Sequence, residues 1–489
     1  MKKLLYIVSL VALTLNLQAQ DAQILAQRDL VGTARYVGLA GAMTAVGGDP
    51  SAVNVNPAGL GVYRRWDVNL SLYVDVDRVS QVGQTNLIGA RNKFSASQAS
   101  FVFGWVDQSR DRGMIANNVM ISYHNIANYN RQYKASNVND PYSLSDVIAA
   151  KTNGVDESAL QPAERWDKEN WLSNQAYDTY LISPDPSNSK RWSSICEEAG
   201  DIIDRNQLTI HEYGSIDQFG ISWGGNLSNI IYLGATLNIL AFDHTQSVRY
   251  TEQFGEGCSL DNSTYVHHSG VGVNGNFGII AHPLQWLRIG ASFTTPSAVS
   301  LTTRNYGDMN STLYMYDAKE GKNVLTNFTS KTPENSYIDR TWTSPMRVSA
   351  GLAFQALNYG LVSFQYDYAH NKQIDDVHTL RAGIEGVIVN HFFLEAGYAY
   401  ESTFLKNEQY YSPGILPENT VRTDAYSQIV KRSHYATAGF GYRGKNFAVH
   451  AAYRYRWQSS VTYPHEFAIP YDINATTHNF VLTLNFHTQ

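Results

Sequence analysis

The groups in this chain that could carry metal or nucleophile chemistry are few and badly spaced for it. His267 and His268 are adjacent. In an extended segment, neighbouring side chains point to opposite faces, so the two rings cannot chelate one ion. The two cysteines, Cys196 and Cys258, have no second Cys or His two to four residues away, which excludes the usual zinc spacings. There is no Gly-x-Ser-x-Gly elbow, no His-Glu-x-x-His and no phosphate loop. The 14 histidines read as scattered, solvated rings. The expectation is a protein that is not an enzyme and holds no cofactor and no metal.

The elements that carry these residues are legible in composition. Charged residues make up 16 % of the 489, well under the roughly 25 % of an average soluble protein. Tyr (32) far outnumbers Phe (19) and Trp (9). Mean hydropathy is −0.30, too polar for a bundle of apolar membrane helices. Such a balance fits half-buried strands, and in particular a membrane β-barrel. The net charge of −6 comes with no basic face, so nucleic acid is not an expected partner.

The first residues point to an envelope compartment. Lys2 and Lys3 precede an apolar run from Leu4 to Leu17, and Ala19 supplies the small residue for cleavage. A signal peptide over 1–19 is expected, with Gln20 opening the mature chain. The longest later apolar run, Ile230 to Phe242, is broken by Asn238 and alternates, so no helical span is predicted.

From Trp66 onward the dominant period is two. Trp66, Val68, Leu70, Leu72, Val74 and Val76 share one face, against Asp67, Asn69, Ser71, Tyr73 and Asp75. The pattern predicts fourteen strands, near 66–79, 94–107, 117–131, 215–227, 230–248, 264–281, 286–303, 344–357, 360–373, 378–389, 391–404, 432–443, 446–459 and 474–486. Connections after even-numbered strands are short. Those after odd-numbered strands are mostly long, near 132–214, 249–263, 304–343 and 405–431. Membrane barrels have short periplasmic turns and long outer loops, so this parity predicts a 14-stranded antiparallel transmembrane barrel with both termini periplasmic.

The longest loop has internal structure. Ser194-Ile195-Cys196-Glu197 reads as a capping box ahead of Ala199, Ile202 and Ile203, and a second helix would use Leu144, Val147 and Ile148. Either the loop folds on its own core or it presents an apolar patch to a ligand. Cys196 and Cys258 fall in neighbouring outer loops. They are a candidate disulfide pinning the large loop, or two unremarkable thiols.

Gly32 to Leu60 breaks the alternation. It is rich in Gly and Ala, with Gly47-Gly48-Asp49-Pro50-Ser51-Ala52 followed by Asn56-Pro57-Ala58-Gly59-Leu60. This stretch resembles the N-terminal hatch of the FadL-type outer-membrane transporters, a family that includes the aromatic-hydrocarbon channels of the TodX kind. Leu287-Arg288-Ile289-Gly290-Ala291-Ser292-Phe293 with Pro296, and Ser344-Pro345, echo the same family. The terminal strand departs from the usual ending, since Phe486 is followed by His487-Thr488-Gln489. The domains read as a signal peptide at 1–19, a hatch at 20–64 and a barrel at 65–489.

The resemblance implies transport of hydrophobic compounds such as long-chain fatty acids. Ligand would be captured at outer loops, held above the hatch, and released sideways through the wall at a kink in the third strand. Each methylene kept from water on that route is worth about 0.8 kcal/mol. Asn56, Pro57, Ala58 and Gly59 are the hatch and gating candidates, expected to pack near Asn125. Asn125 is the lateral-opening candidate, because Ile126 falls out of phase after Val119, Ile121 and Tyr123. The bland readings are a simple turn at Asn56–Gly59 and an ordinary strand at Asn125. Expected partners are hydrophobic small molecules or lipids and the outer-membrane bilayer. A barrel of this kind that docks an envelope protein partner, in secretion or assembly, is the alternative. Outer-membrane phospholipase, an enzymatic barrel, has fewer strands and no such plug.

Overall fold

The computed structural model describes residues 24–488, except 108, 110–111, 162, 200–202, 320, 334–335, 357–358, 373, 390, 403–422 and 424. The expected signal peptide, Gln20, Ile202 and most of the 405–431 loop lie outside the described residues. Among the described residues, no helix is long and apolar enough to cross a membrane.

Fourteen antiparallel strands close into one barrel. They are β1 (Asp67–Gln81), β2 (Leu87–Val106), β3 (Met114–Asp140), β4 (Ile203–Leu227), β5 (Ile231–Gln253), β6 (Ser259–Leu284), β7 (Leu287–Thr294 and Ala298–Asp317), β8 (Lys322–Lys331, Ser336–Thr343 and Met346–Ala356), β9 (Gly360–Asn371), β10 (Ile374–Val389), β11 (Phe392–Glu401), β12 (Ser427–Arg443), β13 (Phe447–Tyr463) and β14 (Tyr471–His487). The seam is β1 against β14, in register from Asp67–His487 to Gln81–Ile473. Closure leaves no sheet edge to be satisfied, which is what a strand-built membrane wall requires. The break in β7 and the second break in β8 fall at Pro296 and Pro345, where a ladder donor is missing. There Ser297 and Ser344 pair across the gap, the Ser297 amide donating to the Ser344 hydroxyl at 2.9 Å.

Alternation sorts the two faces. On β5, Ile231, Leu237 and Ile239 are exposed outward while Thr236, Asn238 and Leu240 are buried inward. The outward face turns polar at Asp243. The apolar run Ile231–Ala241 matches the about 9–11 residues a tilted strand needs to cross a bilayer.

Beyond that band, β3 to β8 continue as a tall collar. The stretches expected as loops at 132–214, 249–263 and 304–343 are therefore partly or mostly strand: β5 and β6 are joined across Phe254–Cys258 alone. The reason is tertiary. A domain between Asp140 and Ile203 gives the collar's inner face something to pack on. It holds helices Leu144–Thr152, Trp171–Asp178 and Ile195–Ala199 and a small hairpin, Ile182–Asp185 with Asn188–Ser194. Leu144, Ile148, Leu172, Trp192 and Cys196 share one apolar core with collar residues Leu208, Ile210, Tyr250 and Leu260. The loop therefore folds on a core, and that core caps the mouth. Helix Leu144–Thr152 starts with a full capping box from Ser143 and Asp146.

At the opposite, short-turn end the chain from Ile24 to Val62 is packed inside the barrel, and nearly every residue from Leu30 to Val53 is buried.

Candidate functional site: the hatch, the strand bulge and a gap in the wall

The hatch is built by short caps. Thr33 caps helix Ala34–Gly38 and its hydroxyl reaches both Asp49 carboxylate oxygens at 2.8 Å. Asp49 in turn accepts from the Ser51 amide at 2.8 Å and starts helix Pro50–Val55. Asn56 then caps the 3-10 turn Pro57–Val62, its Oδ1 accepting from the Ala58 amide at 3.1 Å. Its Nδ2 donates to the carbonyls of Thr44 at 2.7 Å and of Ile279 on β6 at 3.2 Å. One side chain thus ties three pieces of backbone together.

The wall receives the hatch through missing side chains and through donors. A Cβ on Gly278 would sit 1.8 Å from Asn56 Oδ1, and one on Gly234 would sit 2.2 Å from the Pro57 carbonyl carbon. Only glycine permits that approach. Elsewhere the hatch's carbonyls are met by wall side chains. Arg288 donates to Val46 at 2.8 Å, Arg347 to Ala26 at 2.8 Å and Arg381 to Ala40 at 3.2 Å, and Arg454 donates to Leu30. Asn276 serves Asn54 at 2.9 Å and Val55 at 3.0 Å. Buried non-strand backbone needs such partners.

Asn56, Pro57, Ala58 and Gly59 therefore dock on β5 and β6, not beside Asn125 as expected. The glycine notch lies there, and Ala58 packs with Tyr232 and Ile280. β3 meets the hatch further down, where Asn118 donates to the Leu60 and Tyr63 carbonyls at 2.8 and 2.9 Å, but beside the Asn125 bulge itself it meets the hatch's first turn. The Asp29 amide donates to the Ile126 carbonyl at 2.8 Å, and the Asn128 amide donates back to the Asp29 carboxylate at 3.0 Å.

The irregularity at Asn125 is present. The register of β3 against β4 shifts between Asn125 and Ala127, and Ile126 turns inward. Ile126 joins Leu25, Ala26, Phe242 and Trp342 in an apolar cluster inside the wall. Asn125 donates to Asp217 at 2.8 Å and accepts from the Tyr73 hydroxyl at 3.2 Å.

The bulge has a consequence on the other side of β3. The ladder between β2 and β3 runs only from Gln98–His124 to Val106–Ala116. Among the described residues, Leu87–Ser97 form no ladder with Asn125–Asp140. Side chains span the gap instead. Lys93 of β2 donates to Asn128 of β3 at 2.6 Å, while Arg91 of β2 lies 2.6 Å from His211 Nε2 of β4 and Asn128 donates to the Tyr73 hydroxyl of β1 at 2.7 Å. Further along, the β2 backbone approaches β3 again at Gly89, where a Cβ would lie 2.0 Å from the Gln132 carbonyl oxygen, and Gln81 at the end of β1 exchanges hydrogen bonds with Ser136 at 2.9 and 3.1 Å. Arg91 and Lys93 carry no motif and escaped sequence reasoning. The inward glycines left one signal: glycine inside an otherwise regular strand implies close approach by another backbone.

Behind the gap lies a polar cavity of about 120 Å³, lined among others by Arg28, Asp77, Arg131, Glu212, Glu401 and Arg456. Its charges are largely paired, Arg131 with Glu212 at 2.7 Å and Arg456 with Asp29 at 3.4 Å. Among the described residues no group of three His, Cys, Asp or Glu could hold a metal.

Cys196 and Cys258, the candidate disulfide, are free thiols here. Both touch the core under the cap. Burial, with the Glu252 carboxylate nearby, pushes the Cys196 thiol up to about 12, so it is held protonated and unreactive. Glu252 accepts from Ser143 at 2.5 Å and from the Leu144 amide at 2.8 Å, and burial pushes its own carboxyl up to about 7. In the native protein a maleimide is expected to modify half-buried Cys258 and spare Cys196. Peptide mapping of the labelled protein checks this, and equal labelling would mean the cap is not docked as described.

No protein-family model matches the chain, and no curated protein matches it. Among solved structures, a FadL homologue of Pseudomonas aeruginosa is similar over 94 % of this chain and 99 % of its own, at 11 % identity and a TM-score of 0.53. The toluene transporters TbuX of Ralstonia pickettii and TodX of Pseudomonas putida align over 94 % of this chain at 14 % and 12 % identity, with TM-scores of 0.47 and 0.46. At these identities the likeness is one of fold: the chain shares with the FadL homologue a barrel of the same overall architecture.

Proposed function

We propose that this chain is an outer-membrane barrel that moves hydrophobic compounds, long-chain fatty acids among them, and releases them sideways through the wall between β2 and β3. The observation that carries this reading is the unpaired stretch of β2 and β3 beside the bulge at Asn125. It lies at the edge of the outward apolar band, where Phe94 points out two-thirds exposed. A ladder gap closed by side chains can open without breaking backbone hydrogen bonds, whereas an intact ladder cannot. The cap closes the mouth with apolar core, the hatch blocks the short-turn end, and Asn56–Gly59 hold it there. The resemblance in fold to a FadL homologue supports the same reading. Lipids co-purified in gentle detergent and identified by mass spectrometry test it. A hydrophobic ligand bound above background is expected; recovery of none, together with uptake no faster than in cells lacking the barrel, would sink it.

The second reading, a docking component for an envelope protein, is favoured by the small and charged cavity behind the gap. A folded cap of some sixty residues, Asp140 to Ile203, offers such a partner a surface.

In this reading both termini face the periplasm and the cap faces outward. Cys placed singly at Asn327 and at Lys445, in a Cys196→Ser, Cys258→Ser background, should separate the two ends. An impermeant thiol reagent on whole cells is expected to label the Asn327 site and not the Lys445 site. The reverse pattern would invert the topology.

A further inference from the structure

Two grooves are cut into the outward face of the barrel within its apolar band. One, of about 850 Å³, crosses β7 to β11 over Ala291, Ala350 and Ala382. The other, of about 650 Å³, crosses β12, β13, β14, β1 and β2 over Ala438 and Ala451, with Phe94 and Phe480 as walls. Small outward residues between large ones make these depressions.

Each groove ends, on the cap side, at tyrosines that share one arrangement. Tyr366 and Tyr398 line the first and Tyr453 lines the second. The hydroxyl of each lies 2.7 Å from Nδ1 of a histidine on the next strand: Tyr366 with His378, Tyr398 with His434, Tyr453 with His478. The pairs recur on β9/β10, β11/β12 and β13/β14. The phenol is the donor to a neutral imidazole, an assignment made from the chemistry of the pair. That places the remaining ring hydrogen on Nε2 in all three. Three half-buried imidazoles therefore present N–H donors at the cap-side rim of the apolar wall.

We infer that these grooves hold acyl chains of the outer-leaflet glycolipid, with the His378, His434 and His478 Nε2–H groups donating to oxygens of its phosphorylated head group. The chemistry of the two ends suits that occupant: a trough lined by apolar side chains, closed by N–H donors of a kind that an oxygen-rich phosphorylated head accepts from. Continuity with the apolar band puts the site in the bilayer plane and not on a face open to water. The inference rests on the cap lying outside the cell, as proposed above.

The test is retention of lipid through purification. Barrel extracted in mild detergent is mixed with equal amounts of lipopolysaccharide and phosphatidylethanolamine, washed, and analysed by native mass spectrometry. Wild-type barrel is expected to retain lipopolysaccharide selectively. The triple variant His378→Leu, His434→Leu, His478→Leu keeps apolar bulk at the rim and is expected to retain at least tenfold less. Filling the troughs with Ala382→Phe and Ala451→Phe gives a second variant with the same expected loss. Heat-modifiability on a gel shows that each variant is folded. Equal retention by wild type and both variants overturns the inference, and so does selective retention of phosphatidylethanolamine. The whole-cell labelling of Asn327 and Lys445 sites reads topology independently, so failure of the orientation and failure of the lipid site are told apart.

Discussion

Gly278→Leu is expected to leave the barrel closed and folded but to unseat the hatch. The new Cβ would lie 1.8 Å from Asn56 Oδ1, and Asn56 would lose its hold on Thr44 and Ile279. Two hydrogen bonds at about 1 kcal/mol each, with overpacking of about 1–3 kcal/mol, set the scale of the loss at roughly 3–5 kcal/mol. At 1.4 kcal/mol per tenfold, the population of undocked hatch should rise by on the order of a hundredfold or more. Single-channel conductance in planar bilayers and entry of a bulky polar antibiotic into cells measure it. Gly386→Leu is the matched control, since a Cβ there meets nothing within 4 Å. Replacing Asn56 and Pro57 together by Ala should act in the same direction through the hatch itself. If folded Gly278→Leu and the double variant both conduct like wild type, the segment is a turn with no gating role.

Fixing β2 to β3 is expected to abolish uptake. Cys at positions 93 and 128, joined by a short bismaleimide in a background lacking Cys196 and Cys258, would replace the Lys93–Asn128 hydrogen bond with a covalent strap. Uptake of a labelled long-chain fatty acid should fall at least tenfold on cross-linking and be unaffected by monofunctional maleimide. The converse change loosens the gap: Lys93→Met removes a charge-assisted bond worth about 1.5–3 kcal/mol and should raise uptake several-fold. Wild-type uptake in the cross-linked barrel would show that no ligand leaves between these strands.

Much of the architecture is written locally. The period of two from Trp66 onward sets strand number and which face meets lipid, because each outward residue is chosen for hydrocarbon and each inward one for a wet, hatch-filled interior. Alternating connection length sets which strand ends lie together. Ile126 out of phase marks the bulge, since one extra residue in a strand flips all that follow. The caps at Thr33, Asp49, Asn56, Ser143 and Ser194 are local too, each a side chain answering backbone donors within three residues.

What lay beyond sequence is everything that depends on two distant stretches meeting. Nothing near Asn56 says that it will reach Ile279, 223 residues away; that follows from the glycines of β5 and β6 coming to the same height in a closed barrel. The collar above the band was invisible because its strands persist on the strength of the cap's core, and neither half shows that core alone. The gap between β2 and β3 is the clearest case. A bulge in β3 can be inferred from phase, but which neighbouring ladder it costs is decided by closure, because β3 keeps its pairing with β4 while its ladder with β2 stops at Gln98–His124 and Lys93 reaches Asn128 across the break.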